Sequence, residues 1–135
     1  MNVKINFISD GDVSGVMSVA DPKTNVDIYL GIGGAPEGVL AAAALDWLNC
    51  QMQTRLYFQN DGEKKRANKL GIKDLYQKYN IKDMVKGDVV FCATGVTDGD
   101  LVGGIIDTGD FFQAETLLLH KDSKMKKIIK NKIKK

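Results

Sequence analysis

The feature that most constrains the fold of this chain is a glycine-rich turn that leads straight into a long apolar run. The stretch reads GIGGAPEGVLAAAALDWL from Gly31 to Leu48. Pro36 suits the first position of a helix, where its missing amide is no loss. One carboxylate, Glu37, interrupts the run near its start and has few polar neighbours in the sequence. We predict a helix from Pro36 to Leu48 that carries an isolated negative charge in its first turn.

Strand-like and helix-like segments alternate along the rest of the chain. The predicted strands are VKINFIS (3–9), VDIYLGI (26–32), QTRLYF (53–58), DVVFCATGV (88–96) and AETLLLH (114–120). Helices are predicted after the first and third strands. The helix after the third strand is capped by Asn60 and Glu63 and closed by Gly71. MKKIIKNKI (125–133) suits a strand or a helix, and its spacing slightly favours the helix. This order predicts an α/β fold with a layered, largely parallel sheet flanked by helices.

The composition sets limits on the domain count and on the class of partner. The 135 residues suit one domain, and 44% of them are apolar, enough for a hydrophobic core. Residues 121–135 contain eight lysines and one aspartate, whereas residues 1–120 carry 11 basic and 16 acidic side chains, net −5. We predict one domain over 1–120 and a solvated lysine-rich tail over 121–135. The acidic body favours a cation site over a nucleic-acid surface.

The cysteines and the hydropathy indicate the compartment. Cys50 and Cys92 have no paired spacing, which is typical of reduced, intracellular thiols. No apolar stretch reaches the length that spans a membrane, and no signal peptide is recognised. We therefore expect a cytoplasmic protein with no membrane partner.

Acidic glycine turns follow three of the predicted strands. In the first, Asp10 and Asp12 flank Gly11, so both carboxylates can face one ligand while the glycine allows a close approach to the backbone. These side chains could instead cap the next helix, and on the residues alone capping is favoured. Asp98 and Asp100 repeat the pattern, and capping is favoured more strongly there. Because such turns converge at one edge of an open α/β sheet, we predict the site at that edge.

The glycine turn before the long helix is a candidate phosphate site. Backbone amides near Gly33 and Gly34, together with the helix dipole, suit an anion. Glu37 beside them would repel a phosphate unless a divalent cation lay between the two. Glu37 would then bind the metal, and the metal would bridge to a phosphate oxygen. The pattern therefore predicts metal-assisted hydrolysis of a phosphate ester, and a charge that only complements the dipole is the alternative role for Glu37.

Four segments carry a family resemblance. They occur in the order SDGDVSG, GIGGAPEGVLAAAAL, GDVVFCATGVTDGDLVGG and AETLLL. In this order they resemble the carboxyl-terminal part of the class II fructose-1,6-bisphosphatases, the bacterial manganese-dependent type within the lithium-sensitive phosphatase superfamily. The combination of IGGAPEGV with ATGVTDGDL is specific to the family. The resemblance extends to about residue 120 and implies the carboxyl-terminal half of the sugar phosphatase fold.

The resemblance implies a role for particular residues. It implies that Glu37 is a metal ligand with a catalytic role, and that Asp10, Gly11, Asp12 and Gly34 contact the substrate. The implied cofactor is Mn²⁺, with Mg²⁺ as the alternative ion. The implied reaction removes the 1-phosphate of fructose 1,6-bisphosphate and leaves fructose 6-phosphate, as in gluconeogenesis.

The chain also departs from the family pattern. In the family the other metal ligands come from an amino-terminal half, to which no segment of this chain corresponds. Gln113 stands where the pattern has an arginine, and the lysine-rich end has no counterpart. We therefore expect little activity from the chain alone, and expect its partner to be a separate amino-terminal half or a second copy. The alternative is a non-catalytic remnant that binds a sugar phosphate or another subunit.

Overall fold

The computed structural model describes residues 2–135 and has the mixed helix and strand content of an α/β fold. The helices are α1 (Asp12–Met17), α2 (Ala35–Trp47), α3 (Asp61–Lys69) and α4 (Ile81–Met84), with a 3-10 turn at Ser18–Ala20. The strands are β1 (Gln53–Arg55), β2 (Lys78–Asn80), β3 (Val90–Thr94), β4 (Ile106–Asp107), β5 (Phe111–His120) and β6 (Met125–Lys134). Among the described helices, none combines the length and the apolar character needed to cross a membrane.

Helix α2 is the helix predicted from the apolar run, and it carries the core. Its buried residues are Ala41, Ala42, Ala44 and Leu45. One side of α2 packs on α1 and α4, and another side packs on β3 and β5. A helix that is apolar on most of its surface is stable only when it is covered on several sides. Because both groups of buried residues include α2, this helix joins the two parts of the core.

Helix α3 confirms the predicted cap. Asn60 Oδ1 accepts the N–H of Glu63 at 3.0 Å, and Glu63 Oε2 accepts the N–H of Gln59 at 2.8 Å. Gly71 follows the helix with φ at +91°, in the left-handed region that favours glycine. The helix buries only Ala67. Its stability therefore depends on these local contacts more than on packing.

The sheets contain only antiparallel pairs in the part of the chain that the structure describes, so the predicted parallel arrangement is not confirmed. β1 pairs with β2 over three residues. In the larger sheet β6 pairs along the whole of β5, while β3 and β4 pair with its two ends. Leu117 and Leu119 of β5 are almost completely buried. The strands predicted at 88–96 and 114–120 are confirmed, and β5 is the centre of the sheet.

The segment MKKIIKNKI is a strand, so the predicted helix is wrong. β6 pairs with β5 over ten residues, from Lys134 opposite Phe111 to Met125 opposite His120. The apolar residues at 125, 129 and 133 are four apart, a spacing that fits one face of a strand as well as a helix. Pairing with a buried strand outweighs a weak helical pattern. The lysines of β6 also protect the free edge of the sheet against edge-to-edge association.

Two predicted strands, VKINFIS (3–9) and VDIYLGI (26–32), are not strands in the structure. Neither segment is assigned to a helix or a strand, and within residues 2–135 none of their backbone groups makes a backbone hydrogen bond. Their apolar side chains are exposed, with Phe7 at 94% and Leu30 at 90%. A strand forms only when a neighbouring strand supplies hydrogen-bond partners. The prediction is wrong here because the described chain offers these segments no such neighbour.

Glycines close the loop that follows β3. The N–H of Gly95 donates to the carbonyl of Glu115 at 3.0 Å, which continues the pairing of β3 with β5. A side chain on Gly95 would collide with the carbonyl oxygen of Gly103. A side chain on Gly104 would lie 2.6 Å from the backbone nitrogen of Asp98. The loop can therefore fold back on itself only with glycine at these points.

We expect Gly95→Ala to lower the free energy of unfolding by about 1–3 kcal/mol, because the added methyl group meets a backbone atom that has no room to move. Urea unfolding followed by circular dichroism measures the change. Gly99→Ala is the matched control, since a methyl group there meets nothing within 4 Å. The control should stay within about 0.5 kcal/mol of the unaltered chain. Equal effects of the two substitutions would contradict the tight loop.

Candidate functional site

The first acidic turn opens helix α1 at Gly11, whose φ of +75° lies in the left-handed region. Ser14 Oγ donates to the Gly11 carbonyl at 2.8 Å and so stabilises the turn. Among residues 2–135, no side chain caps α1. The capping interpretation of Asp10 and Asp12 is therefore wrong. Asp10 is exposed, and Asp12 is half-buried as the first residue of the helix.

Glu37 lies in the first turn of α2 and faces the start of α1. Its Oε2 accepts the N–H of Gly34 at 2.7 Å, which satisfies one amide at the helix N-terminus. The same oxygen would be 3.1 Å from a Cβ atom on Gly33, and Asp12 Oδ2 would be 2.8 Å from that atom. The carboxylates of Asp12 and Glu37 therefore face the same point above Gly33 from two different helices.

Tyr29 is a third polar group at this point, and sequence reasoning missed it. Its hydroxyl donates to Asp12 Oδ1 at 3.4 Å, a long hydrogen bond. Burial raises the pKa of Tyr29, and the negative charges of Asp12 and Glu37 raise it further. The phenol therefore remains a proton donor to Asp12. The available signal was a tyrosine between two aliphatic residues, Ile28 and Leu30, two residues before the glycine turn.

An open pocket of about 500 Å³ joins the first acidic turn to the end of β3. Its lining includes Asp10, Gly11, Asp12 and Glu37, so the structure brings together four of the five site residues predicted from the sequence. The other lining residues are Ser9, Val13, Ser14, Ala93, Thr94, Leu101 and Val102. The fifth predicted residue, Gly34, lies beside the pocket and donates its N–H to Glu37.

The second acidic turn supplies no carboxylate to the lining of this pocket. Asp98 Oδ1 accepts the N–H of Gly104 at 2.8 Å, and Asp100 is exposed. The next element in the described chain is the strand β4, so the prediction that Asp98 or Asp100 caps a helix is wrong. Leu101 and Val102, which follow the turn, form an apolar side of the pocket instead.

The ligand set at Gly33 suits a hard divalent cation but is incomplete. Asp12 and Glu37 supply carboxylate oxygens, the ligands that Mn²⁺ and Mg²⁺ prefer. Within the part of the chain that the structure describes, no group of three or more His, Cys, Asp and Glu side chains is placed to hold a metal ion. A stable metal site therefore needs further ligands that residues 2–135 do not place there.

A separate hydrogen-bonded cluster lies at the turn between β5 and β6. His120 Nε2 lies 2.7 Å from Asp88 Oδ2, and His120 Nδ1 lies 2.7 Å from Ser123 Oγ. The hydrogen bond from His120 lowers the pKa of Asp88. Trp47 of α2 donates its indole N–H to the His120 carbonyl at 3.0 Å. Ser123 is exposed and lies outside the lining of the pocket, so the cluster ties the hairpin turn to β3 and α2.

Comparisons with known proteins identify the family. Residues 1–133 match the family model described as bacterial fructose-1,6-bisphosphatase, glpX-encoded. The chain belongs to this family. It is 38% identical over 138 residues to the class 2 fructose-1,6-bisphosphatase of Haemophilus influenzae, and 35% identical over 137 residues to fructose-1,6-bisphosphatase 1 class 2 of Escherichia coli K12. The resemblance recognised from the four sequence segments is confirmed.

The matches cover a large share of this chain and a smaller share of each relative. Each covers 92% of this chain but 41% of the bacterial relative. The chain therefore spans about two-fifths of the length of the curated relatives that it matches. More than half of the length of each of these fructose-1,6-bisphosphatases lies outside the match.

Glu115 of β5 supports the loop that forms the apolar side of the pocket. Its Oε2 accepts the N–H of Gly103 at 3.0 Å, and its Oε1 lies 2.7 Å from Nζ of Lys130. The hydrogen bond from Lys130, and then that from Gly103, lower the pKa of Glu115. A lysine of β6 thereby helps to hold the loop beside the site.

We expect Glu115→Gln to reduce the loss of stability in acid. The pKa of Glu115 is lower in the folded chain than its ordinary value of 4.5. Its contribution is therefore present above that pH and is lost as the pH falls through the folded-state pKa. Urea unfolding at about pH 6 and at about pH 3 should show a smaller difference for the variant than for the unaltered chain.

The lysines of β6 provide the controls for this measurement. Lys130→Gln should reproduce part of the change, because it removes the partner of Glu115. Lys132→Gln should follow the unaltered chain, since Lys132 pairs opposite the neutral Gln113. An unaltered pH dependence in Glu115→Gln would show that this carboxylate does not hold the loop.

Proposed function

We propose that this chain forms part of a metal-dependent fructose-1,6-bisphosphatase, which removes the 1-phosphate and leaves fructose 6-phosphate. The relatives that it matches are named fructose-1,6-bisphosphatases, and the proposal extends their activity to an assembly that contains this chain. A role in gluconeogenesis and a cytoplasmic location follow from the same activity. The observation that carries the proposal is the convergence of Asp12 and Glu37 on the point above Gly33.

The two carboxylates explain why a cation belongs at this point. Asp12 and Glu37 place two negative charges beside the N-terminus of α2, where they repel a phosphate. Mn²⁺ or Mg²⁺ held by these carboxylates would neutralise that charge and polarise a phosphoryl oxygen of the substrate. Asp10 and Gly11 line the same pocket, where a carboxylate and backbone groups suit the hydroxyl groups of a sugar.

Glu37 can accept a hydrogen bond and bind a cation at the same time, because its carboxylate has two oxygens. Its Oε2 accepts the N–H of Gly34 at 2.7 Å, so this amide is not directed at an anion. Oε1 of Glu37 would remain available to a cation, and if the carboxylate turned further toward that cation, the Gly34 N–H would be free for a phosphate oxygen at the N-terminus of α2, a helix of 13 residues. Metal binding by Glu37 is therefore compatible with its hydrogen bond from Gly34, and substrate contact by the Gly34 N–H would need that hydrogen bond to break.

A second candidate function is a non-catalytic module that binds a sugar phosphate or another subunit. It is favoured by one observation: residues 2–135 place no third His, Cys, Asp or Glu side chain with Asp12 and Glu37 in a metal-binding group. Two carboxylates alone hold a divalent ion weakly. Little phosphate release is expected from the isolated chain under either candidate. The two differ in what happens when the remaining ligands are supplied.

Glu37→Gln should weaken the binding of Mn²⁺ by about tenfold or more, because the metal loses a charged ligand. Glutamine keeps an oxygen that can accept the N–H of Gly34, so the start of α2 should be preserved. Titration of the full chain with MnCl₂, followed by the EPR signal of the free ion, measures the change. Asp12→Asn should weaken the binding in the same way.

Glu63→Gln is the matched control for the metal titration. Glu63 has the same position in the first turn of α3 and accepts the N–H of Gln59 at 2.8 Å. It lies outside the lining of the pocket, so its replacement should leave Mn²⁺ binding unchanged. If Glu37→Gln bound Mn²⁺ as tightly as the unaltered chain, the proposed metal site would be wrong.

The activity is tested by co-expressing the full chain with the part of the Haemophilus influenzae relative that it does not match. With Mn²⁺ and fructose 1,6-bisphosphate, we expect the pair to release phosphate and EDTA to stop the reaction. Glu37→Gln should lower the rate by about a hundredfold, because a catalytic metal supplies several kcal/mol. A complex that forms but releases no phosphate would favour the non-catalytic module.

A further inference from the structure

Tyr29 lies in a slot between two glycines. Its side chain is half-buried and packs against the part of the core that α2 shares with α1 and α4. A Cβ atom on Gly15 of α1 would lie 2.9 Å from Tyr29 Cε2, and a Cβ atom on Gly31 would lie 2.6 Å from the Tyr29 hydroxyl oxygen. A side chain at either position would therefore displace the tyrosine. We call the space between Gly15 and Gly31 the glycine slot.

The glycine slot directs the hydroxyl group of Tyr29 to one oxygen of Asp12. The hydroxyl donates to Asp12 Oδ1 at 3.4 Å. The other oxygen, Oδ2, is the one that lies 2.8 Å from the point where Gly33 would carry a Cβ atom. A hydrogen bond to one oxygen of a carboxylate restricts the rotation of the whole group. Because Oδ1 is held by Tyr29, Oδ2 is the oxygen that Asp12 presents to the point above Gly33.

Each carboxylate at this point is held by one hydrogen bond. Glu37 accepts the N–H of Gly34, three residues away in the sequence. Asp12 depends on a residue 17 positions away, since no other hydrogen bond or ion pair involves its side chain among residues 2–135. Loss of the Tyr29 hydroxyl would therefore leave the Asp12 carboxylate free to rotate.

We propose that Tyr29 is a positioning residue, whose hydroxyl orients the Asp12 carboxylate so that Oδ2 faces a divalent cation above Gly33. Tyr29 acts through Asp12 and is not itself a ligand. This inference rests on the proposed function, because the orientation of Asp12 matters to the reaction only if a cation binds there. A hydrogen bond that orients a metal ligand typically contributes about ten- to hundredfold in affinity. The 3.4 Å bond is long, so we expect an effect at or below the lower end.

The alternative role of Tyr29 is to fill the glycine slot with its ring. A phenylalanine would serve that purpose equally well, because it has the same ring without the hydroxyl. The surroundings of the hydroxyl favour positioning, since the atom nearest to the Cβ position of Gly31 is the phenol oxygen. The absence of a side chain at Gly31 thus leaves room for the hydroxyl itself.

Tyr29→Phe should weaken the binding of Mn²⁺ by about three- to tenfold, because Asp12 loses the hydrogen bond that orients it. Titration of the full chain with MnCl₂, followed by the EPR signal of the free ion, measures the change. The phenylalanine ring keeps the slot filled, so the circular dichroism spectrum should be unaltered. Tyr57→Phe is the matched control, since Tyr57 is exposed and lies outside the lining of the pocket. The control should bind Mn²⁺ within about twofold of the unaltered chain.

Combination with Asp12→Ala separates positioning from a general effect on packing. If Tyr29 acts through Asp12, the two substitutions are not additive, because each removes the same interaction. Tyr29→Phe should then change Mn²⁺ binding by less than about twofold in a chain that already carries Asp12→Ala. An equal loss with and without Asp12 would overturn the positioning role.

The outcomes separate this inference from the proposed function. A loss of binding in Tyr29→Phe that disappears in the Asp12→Ala chain supports the positioning role, whether or not an assembly that contains this chain releases phosphate. Unchanged binding in Tyr29→Phe, together with weaker binding in Glu37→Gln, overturns the inference and leaves the metal site in place. If neither substitution alters Mn²⁺ binding, the proposed metal site is wrong and the inference is overturned with it. An altered circular dichroism spectrum in Tyr29→Phe would show that the hydroxyl is needed for folding, which also overturns the inference.

Discussion

The packing of α2 on several neighbours at once is the constraint on which the rest of the structure depends. Its alanines allow α1 and α4 to approach on one side and the sheet to approach on another. Because α1 packs directly on α2, the first turns of the two helices meet, and Asp12 comes to face the same point as Glu37. The site is therefore a consequence of how two short elements pack. It does not require the converging strand ends of a parallel sheet.

The parts of the fold that were predictable are those that local signals determine. The apolar run after a glycine turn determines α2, and Asn60 with Glu63 determines the start of α3. The segments whose structure was predicted wrongly are those that depend on partners distant in sequence. β6 becomes a strand because β5 is available beside it, whereas residues 3–9 and 26–32 have the composition of strands and find no neighbour in residues 2–135. A sequence pattern indicates that a segment prefers to be a strand, but the hydrogen bonds of a sheet form only when a second strand lies beside it.

The same distinction applies to the candidate site. Asp10, Asp12 and Glu37 were recognisable because carboxylates beside glycine turns are unusual enough to require a reason. The cap assigned to Asp10 or Asp12 was wrong, since α1 has no side-chain cap within the described chain, whereas the roles of these residues and of Glu37 toward a metal and a substrate stay predictions. The hydrogen bond that Glu37 accepts from the N–H of Gly34 was not foreseen. The partner of Tyr29 was not evident from its position in the sequence, because its hydroxyl reaches Asp12 only through the packing of one segment over α1.

The division of charge along the sequence has a counterpart in space. Three lysines of the basic end form ion pairs with acidic residues of the body: Lys121 with Asp46, Lys130 with Glu115 and Lys135 with Asp107. Exposed pairs of this kind add little stability one by one, but they neutralise charge around the sheet. Among the described residues, no ion pair involves Asp10, Asp12 or Glu37. The three carboxylates that line the pocket therefore keep their negative charge without a basic partner in the described chain, and such a charge favours a cation there.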